Sequence, residues 1–96
     1  MTLILSGTDG LSDIDGSAAT PAIRGTDANT GIFFPAADTI GFSEGGAEAM
    51  RIDSDGDVGI GTATPGYKLD VQSSASSGAP LLANFQAAGG DVQVYI

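Results

Sequence analysis

The chain has 96 residues and a formal net charge of −9, from 12 acidic and 3 basic side chains. Such an acidic excess argues against nucleic acid and anionic membranes as partners, because both bind through clustered Lys and Arg. His and Cys are absent, which removes disulfides, thiolate nucleophiles, imidazole metal ligands and the commonest general base. The composition therefore predicts a protein that is not an enzyme and has no cofactor.

The chain is also poor in material for a hydrophobic core. Glycine supplies 15 residues, proline supplies 4, and aromatic residues make up 6% of the sequence. Burial of small side chains removes little apolar area from water, whereas each ordered residue costs about 1.5 kcal/mol of conformational entropy. Without disulfides, association of several chains is the simplest remaining way to stabilise so small a fold. We therefore expect an oligomer.

Residues 1–30 are predicted to form an extended N-terminal arm. The segment begins with a short apolar strand, "LILS", and continues as small polar residues with isolated apolar ones. Thr20 precedes Pro21, which favours an extended backbone at Thr20. We expect the arm to lie against another surface; a freely flexible arm is the alternative. The N-terminus has neither the basic region nor the long apolar run of a signal peptide, and no run approaches the length of about 20 residues of a membrane helix, so assembly in a cytoplasm is expected.

Residues 31–72 are predicted to form a β-rich unit, because apolar and polar residues alternate along them. The alternation places Met50 and Ile52 on one face of a strand, and does the same for the pairs Val58 with Ile60 and Leu69 with Val71. Turn-forming stretches such as "SDGD" and "TPG" separate these runs. The one helical candidate, "EGGAEAMRI", is too short and too rich in glycine. The predicted fold class is all-β, built from short strands and turns.

Two further segments complete the predicted organisation. Residues 73–80 are rich in Ser, Gly and Ala, which is typical of a flexible linker. Residues 81–96 alternate again in "LLANFQ" and "DVQVYI", which predicts the start of a further β unit. Because the sequence stops at Ile96 within an alternating run, we expect more chain to follow in the natural protein.

The stretch "DSDGD" contains Asp53, Asp55 and Asp57 at alternate positions, and these are weak candidates for a metal site. A calcium loop of the EF-hand type would need a glycine after the third acid and a closing glutamate. Both glutamates, Glu44 and Glu48, instead lie upstream. A solvated turn is the favoured interpretation.

The glycines of "GDVGIGT" invite comparison with a phosphate-binding loop. Their spacing does not fit that motif, and no lysine follows them. Glycines that alternate with Val58 and Ile60 favour a strand whose glycine face is pressed against another backbone. This predicts tight packing of one chain against another.

The stretch "GIGTATPGYKLDV" matches a Gly-Ile-Gly-Thr…Pro…Lys-Leu-Asp-Val unit that recurs in or beside the shafts of bacteriophage tail fibres. The preceding "NTGIFFPAADTIGFSEGGAEAMRID" is similar to the companion block, and "PLLANFQAAGGDVQVYI" is similar to the opening of a further one. Residues 19–71 as a whole resemble the repeat-bearing segment of tail-fibre proteins, especially those of marine phages.

The resemblance implies an elongated, intertwined homotrimeric fibre segment in a virion appendage, assembled in the host cytoplasm. By its position within that family, the chain would form the N-terminal part of the fibre, which joins the fibre to the tail. The implied partners are two further copies of the chain and other phage tail proteins at the docking site. Host recognition belongs to the distal end of such fibres and is not implied for these residues.

On this hypothesis two sets of apolar residues receive roles. The first would form the attachment surface or the first packing surface, and its members are Leu3, Ile4, Leu5, Ile23, Phe33 and Phe34. The second would fill the trimer core of the repeat, and its members are Met50, Ile52, Val58, Ile60, Leu69 and Val71.

Two other functions stay open at the level of the sequence. One is a receptor- or carbohydrate-binding module on the virion surface, for which Tyr67, Tyr95 and Phe42 are the aromatic candidates. The other is a fibre that decorates the phage head rather than the tail.

Overall fold

A computed structural model describes residues 4–73 and 82–94 of the chain. The structure is all-β and has no helix in these two ranges, so no described helix could cross a membrane. The shape is elongated, with a radius of gyration of 15.6 Å against 11.8 Å expected for a compact chain. The predicted all-β, elongated fold class is thereby confirmed. Leu3, Tyr95 and nearly all of the predicted linker lie outside the described residues.

A small hairpin forms the N-terminal part of the described chain. Strand β1, Ile4–Ser6, pairs in antiparallel fashion with β2, Gly10–Ser12, so that Leu5 lies opposite Leu11. The hydroxyl of Ser6 accepts a hydrogen bond of 2.7 Å from the backbone N–H of Asp9, which fixes the intervening turn. This two-stranded sheet is separate from the main sheet.

The main sheet has six strands that lie side by side in chain order. They are β3 (Ile23–Arg24), β4 (Gly31–Phe33), β5 (Ile40–Glu44), β6 (Ala47–Ile52), β7 (Val58–Ile60) and β8 (Leu69–Val71). Neighbours are antiparallel as far as β7, and β8 is parallel to β7. Strands β3 and β8 are therefore the two edges of the sheet. The sheet thus includes two residues of the segment that was expected to be an arm.

The turns follow from the residues that occupy them. Gly45 and Gly46 join β5 to β6 with φ angles of 63° and 85°. A two-residue hairpin turn with positive φ at both positions matches the twist of the flanking strands, and glycine adopts it without a steric penalty. Strand β6 occupies most of the nine-residue stretch that was the weak helical candidate, and it confirms the prediction of a strand there.

Residues 61–68 cross from the end of β7 to the start of β8, and they account for the glycines of the "GIGTATP" motif. Gly61 has a φ of 78°, and a Cβ atom there would lie 2.1 Å from the carbonyl oxygen of Gln72. A Cβ atom at Gly59 would lie 2.5 Å from the carbonyl oxygen of Thr62. Close approach of another backbone to these glycines is therefore present, but that backbone belongs to the same chain, whereas packing between chains had been predicted.

Residues 82–94 differ from the sequence-based expectation. Alternation predicted strands in "LLANFQ" and "DVQVYI", but the described residues of this range contain no strand. Alternation indicates which residues would share a face, whereas a strand also needs a neighbour that pairs with its N–H and C=O groups. No neighbouring strand is present in the described part of the chain to pair with this segment.

Candidate assembly surface

The strand register gathers ten apolar side chains on one face of the six-stranded sheet, here called the apolar face. Residues that lie directly opposite each other on paired strands point to the same side, as do residues i and i+2 within a strand. One row crosses all six strands and a second row crosses four of them. The first row is Ile23, Ile32, Phe42, Met50, Ile60 and Val71, and the second is Ile40, Ile52, Val58 and Leu69.

The apolar face is partly open to solvent in the single chain: four of its ten side chains are exposed and the other six are half-buried. Leu69 is 59% exposed, Ile60 is 41% exposed and Ile40 is 38% exposed. None of the ten side chains is charged. Large exposed apolar patches on a soluble chain mark surfaces of interaction. The face therefore has the chemistry of an interface and not that of a water-facing surface.

The opposite face of the sheet is covered by the chain itself. Phe33 is only 4% exposed, and its ring lies over Gly41, where a Cβ atom would approach the ring to 2.6 Å. The crossover packs on Gly59 of the same face through Thr62 and Pro65. Phe33 had been predicted to belong to the attachment surface or the first packing surface; in the structure it packs within the chain, because the absence of a side chain at Gly41 leaves room for its ring.

An ion pair lies beside this covered face. The Arg51 guanidinium donates two hydrogen bonds to the Glu48 carboxylate, at 2.8 Å and 2.6 Å. Hydrogen bonding to Glu48 raises the pKa of Arg51 above its ordinary value, and the charges of Glu48 and Asp53 act in the same direction against partial burial. A basic group whose pKa is higher in the folded state than in the unfolded state stabilises the fold. This stabilisation is complete below the unfolded-state pKa of the group and is lost as the pH rises through the folded-state pKa. Arg51 therefore keeps its charge throughout the neutral and moderately alkaline range.

The structure brings together all six residues that were predicted to form a trimer core. Met50, Ile60 and Val71 are consecutive members of the first row, and Ile52, Val58 and Leu69 are consecutive members of the second. That they meet a partner chain stays a prediction.

Four members of the apolar face were missed in the sequence as core candidates, and they are Ile23, Ile32, Ile40 and Phe42. A signal was present for the last two, because "IGF" at 40–42 has the same apolar-glycine-apolar pattern as "VGI" at 58–60. Ile32 joins the face through pairing of β4 with β5, and Ile23 joins it through pairing of β3 with β4; no local pattern indicates either pairing.

The remaining attachment candidates lie apart from one another. Ile4 and Leu5 belong to the N-terminal hairpin, where Leu5 is 70% exposed. Ile23 lies on edge strand β3, and Phe34 follows β4 and is half-buried. Ile23 and Phe34 share a groove of about 480 Å³ between the hairpin and the edge of the sheet, which also includes Leu11, Ile14 and Arg24.

Asp53, Asp55 and Asp57 come close together in the turn between β6 and β7, with one oxygen of each within 4.8 Å of the others. Hydrogen bonds and an ion pair within the turn account for the close approach of these side chains. One oxygen of Asp53 accepts hydrogen bonds from the backbone N–H groups of Asp55 and Asp57, at 3.0 Å and 2.9 Å. Asp57 forms an ion pair of 3.1 Å with Lys68. Two of the three carboxylates, those of Asp53 and Asp57, thus hold the turn and its contact with the crossover.

The aromatic candidates for a carbohydrate site are not gathered in one place. Phe42 lies on central strand β5, whereas Tyr67 lies in the crossover just before β8 and is 77% exposed. Strands β5 and β8 are three strand spacings apart, which is about 14 Å. Tyr95 lies outside the described residues. No stacking platform for a sugar is formed by the two described aromatic residues.

Comparison of the chain with protein-family models, with curated proteins and with solved structures found no match.

Proposed function

We propose that this chain is a structural component of a phage virion, the N-terminal part of a homotrimeric tail fibre that joins the fibre to the tail. The observation that carries the proposal is the apolar face, which offers ten uncharged side chains to a partner. The elongated all-β fold supports it, as does the resemblance of residues 19–71 to the repeat-bearing segment of tail fibres.

The partner that best fits the apolar face is a second copy of the same chain. In the described residues Phe33 is the single large hydrophobic side chain that is buried. A chain with so small a core needs its partner whenever it is folded, because conformational entropy opposes folding at every ordered residue. A copy of the chain is always present in equal amount, and association of copies is a common way to stabilise a small unit.

The distribution of charge agrees with association of like copies. Each copy carries a net charge of −9, so copies repel one another over any surface where these charges meet. The apolar face is free of charge, which lets identical faces approach without burying a carboxylate. The acidic residues stay on turns and on other surfaces, where water and salt screen them.

Location on the virion tests the proposal. Antibodies raised against this chain would be bound to gold and applied to purified phage particles that encode it, and the label would be located by electron microscopy. Label at the junction of fibre and tail is the expected result. Label on the head would contradict the tail-fibre proposal and favour a head-decorating fibre. Particles that lack the chain altogether would contradict a structural role in the virion.

A further inference from the structure

Both edge strands of the six-stranded sheet contribute side chains to the apolar face, so the face extends across the full width of the sheet. Edge strand β3 contributes Ile23 to the first row, and edge strand β8 contributes Val71 to the first row and Leu69 to the second. Exposed apolar edge strands are templates for pairing with another chain, and folded proteins commonly protect them. In the described part of the chain no strand lies beyond β3 or β8.

From this arrangement, and resting on the proposed homotrimer, we infer that strand β8 of each copy pairs with strand β3 of the next copy. Three sheets joined in this way close into a triangular prism with the apolar faces inside. The interaction surface on one side is the groove beside β3, and its occupant is the Leu69–Val71 strand of a neighbouring copy.

Strand direction agrees with such closure. Strands alternate in direction from β3 to β7, and β8 is parallel to β7. Strands β3 and β8 therefore point the same way, and copies related by a threefold axis along the strands bring them together as a parallel pair. The groove beside β3 has a volume of about 480 Å³ and is lined by apolar side chains of both sheets, among them Leu11, Ile23 and Phe34.

Charge complementarity selects the register of this pair. The chain has three basic residues, of which Arg51 and Lys68 form ion pairs with carboxylates. The guanidinium of Arg24, which lies in the groove, donates to the carbonyl oxygen of Gly25 at 3.2 Å. Placing Ile23 beside Leu69 of the neighbour keeps both on the apolar face and brings Arg24 beside the neighbour's Asp70 on the other face.

The dimensions of the prism also suit the side chains. Six strands at about 4.8 Å span about 29 Å, and three such sheets in a triangle leave each sheet about 8 Å from the central axis. The largest side chains of the apolar face, Phe42 and Met50, lie on middle strands β5 and β6, where they point to the widest part of the interior. Smaller side chains lie at the corners, where neighbouring sheets converge.

Disulfide cross-linking tests the pairing, because the natural chain has no cysteine. The double variant Ile23→Cys with Leu69→Cys would be oxidised and run on a non-reducing denaturing gel. We expect a covalent trimer, because paired strands bring Cα atoms within the 4.4–6.8 Å that a disulfide spans. Within one chain the two positions are about 24 Å apart, across five strand spacings, so an internal disulfide cannot form.

Each single variant is the matched control, and neither should cross-link, because the threefold axis keeps equivalent edges apart. If light scattering shows a trimer but the double variant stays uncross-linked, or if either single variant forms dimers, the edge pairing is wrong and the homotrimer stands. A folded monomer by light scattering overturns both the edge pairing and the homotrimer.

If the double cysteine variant fails to fold, charge reversal tests the edge pairing instead. Arg24→Asp should lower the melting temperature of the trimer by a few degrees. Asp70→Arg should lower it further, because Asp70 also accepts a hydrogen bond of 2.9 Å from the backbone N–H of Gly66 in its own chain. The double variant should melt above Asp70→Arg alone, and a double variant that melts no higher overturns the pairing.

Discussion

The two faces of the six-stranded sheet are built from the same strands and yet have opposite relations to water. The covered face has glycine at Gly41 and Gly59, and the chain packs its own Phe33 ring and crossover there. The apolar face has an apolar side chain at every one of its ten positions, and in the single chain four of these are exposed and six are half-buried. Small residues thus mark where the chain packs on itself, and the larger apolar residues mark the face for which we propose a partner.

The largest effect is expected from a charge placed on the apolar face. Ile60→Asp would put one carboxylate per copy into the proposed interior, where the effective cost of burying an unpaired charge is several kcal/mol. We expect assembly to be lost, which sedimentation equilibrium would detect. Leu82→Asp is the matched control, because Leu82 is an exposed apolar residue outside the sheet. An Ile60→Asp trimer with the stability of the natural chain would mean that this face is not the interface.

On the covered face, Phe33→Ala removes the large hydrophobic side chain that the chain buries by itself. Replacement of a buried Phe by Ala typically costs about 3–5 kcal/mol, so we expect a loss of about 3 kcal/mol in the free energy of unfolding per chain. Denaturant titration would measure it. Phe85→Ala, at a position where the side chain is 65% exposed, should cost clearly less. Equal losses for the two variants would contradict the burial of the Phe33 ring.

A smaller loss is expected where the crossover lies on the covered face. At Gly59 an added methyl group would meet the carbonyl oxygen of Thr62 at 2.5 Å, and overpacking of this kind costs about 1–3 kcal/mol. Gly59→Ala should therefore lower the midpoint of thermal unfolding. Gly89→Ala is the control, because no atom lies within 4 Å of its added methyl group and Gly89 lies outside the sheet. If Gly59→Ala melted like the natural chain, the crossover would not lie on this face.

The smallest loss of stability is expected from the acidic turn between β6 and β7. Asp53→Ala removes an acceptor of two backbone hydrogen bonds, each with a net worth of about 0.5–1.5 kcal/mol, so we expect a loss of about 1–2 kcal/mol. Asp55→Ala, on an exposed side chain of the same turn, should change little.

The same turn offers a check on the metal interpretation. Millimolar calcium should leave the melting temperature of the natural chain unchanged, because the Asp53 and Asp57 carboxylates are engaged within the turn and with Lys68. A calcium-dependent rise that Asp55→Ala abolishes would show that these acids bind a cation.

The sequence allowed the apolar face to be predicted only where it appears within single strands. Alternation placed Met50 with Ile52 and Val58 with Ile60 correctly, because a strand has a strict period of two. Which strands are neighbours depends on turns and on packing over long distances. Pairing of β3 with β4, which adds Ile23 to the face, therefore could not be predicted.

The buried position of Phe33 also could not be predicted from the sequence, because it depends on a glycine of the neighbouring strand. Local pattern also misled at the C-terminal end. Val92 and Val94 alternate as strand residues do, but they have no strand partner in the described part of the chain.

The molar mass of the purified chain in solution, from light scattering on a sizing column, tests the central claim most directly. A mass of three times 9.5 kDa is the predicted result and would make the apolar face an interface between copies. A folded monomer of 9.5 kDa would contradict it, because the ten side chains of the apolar face would then face water in the functional state.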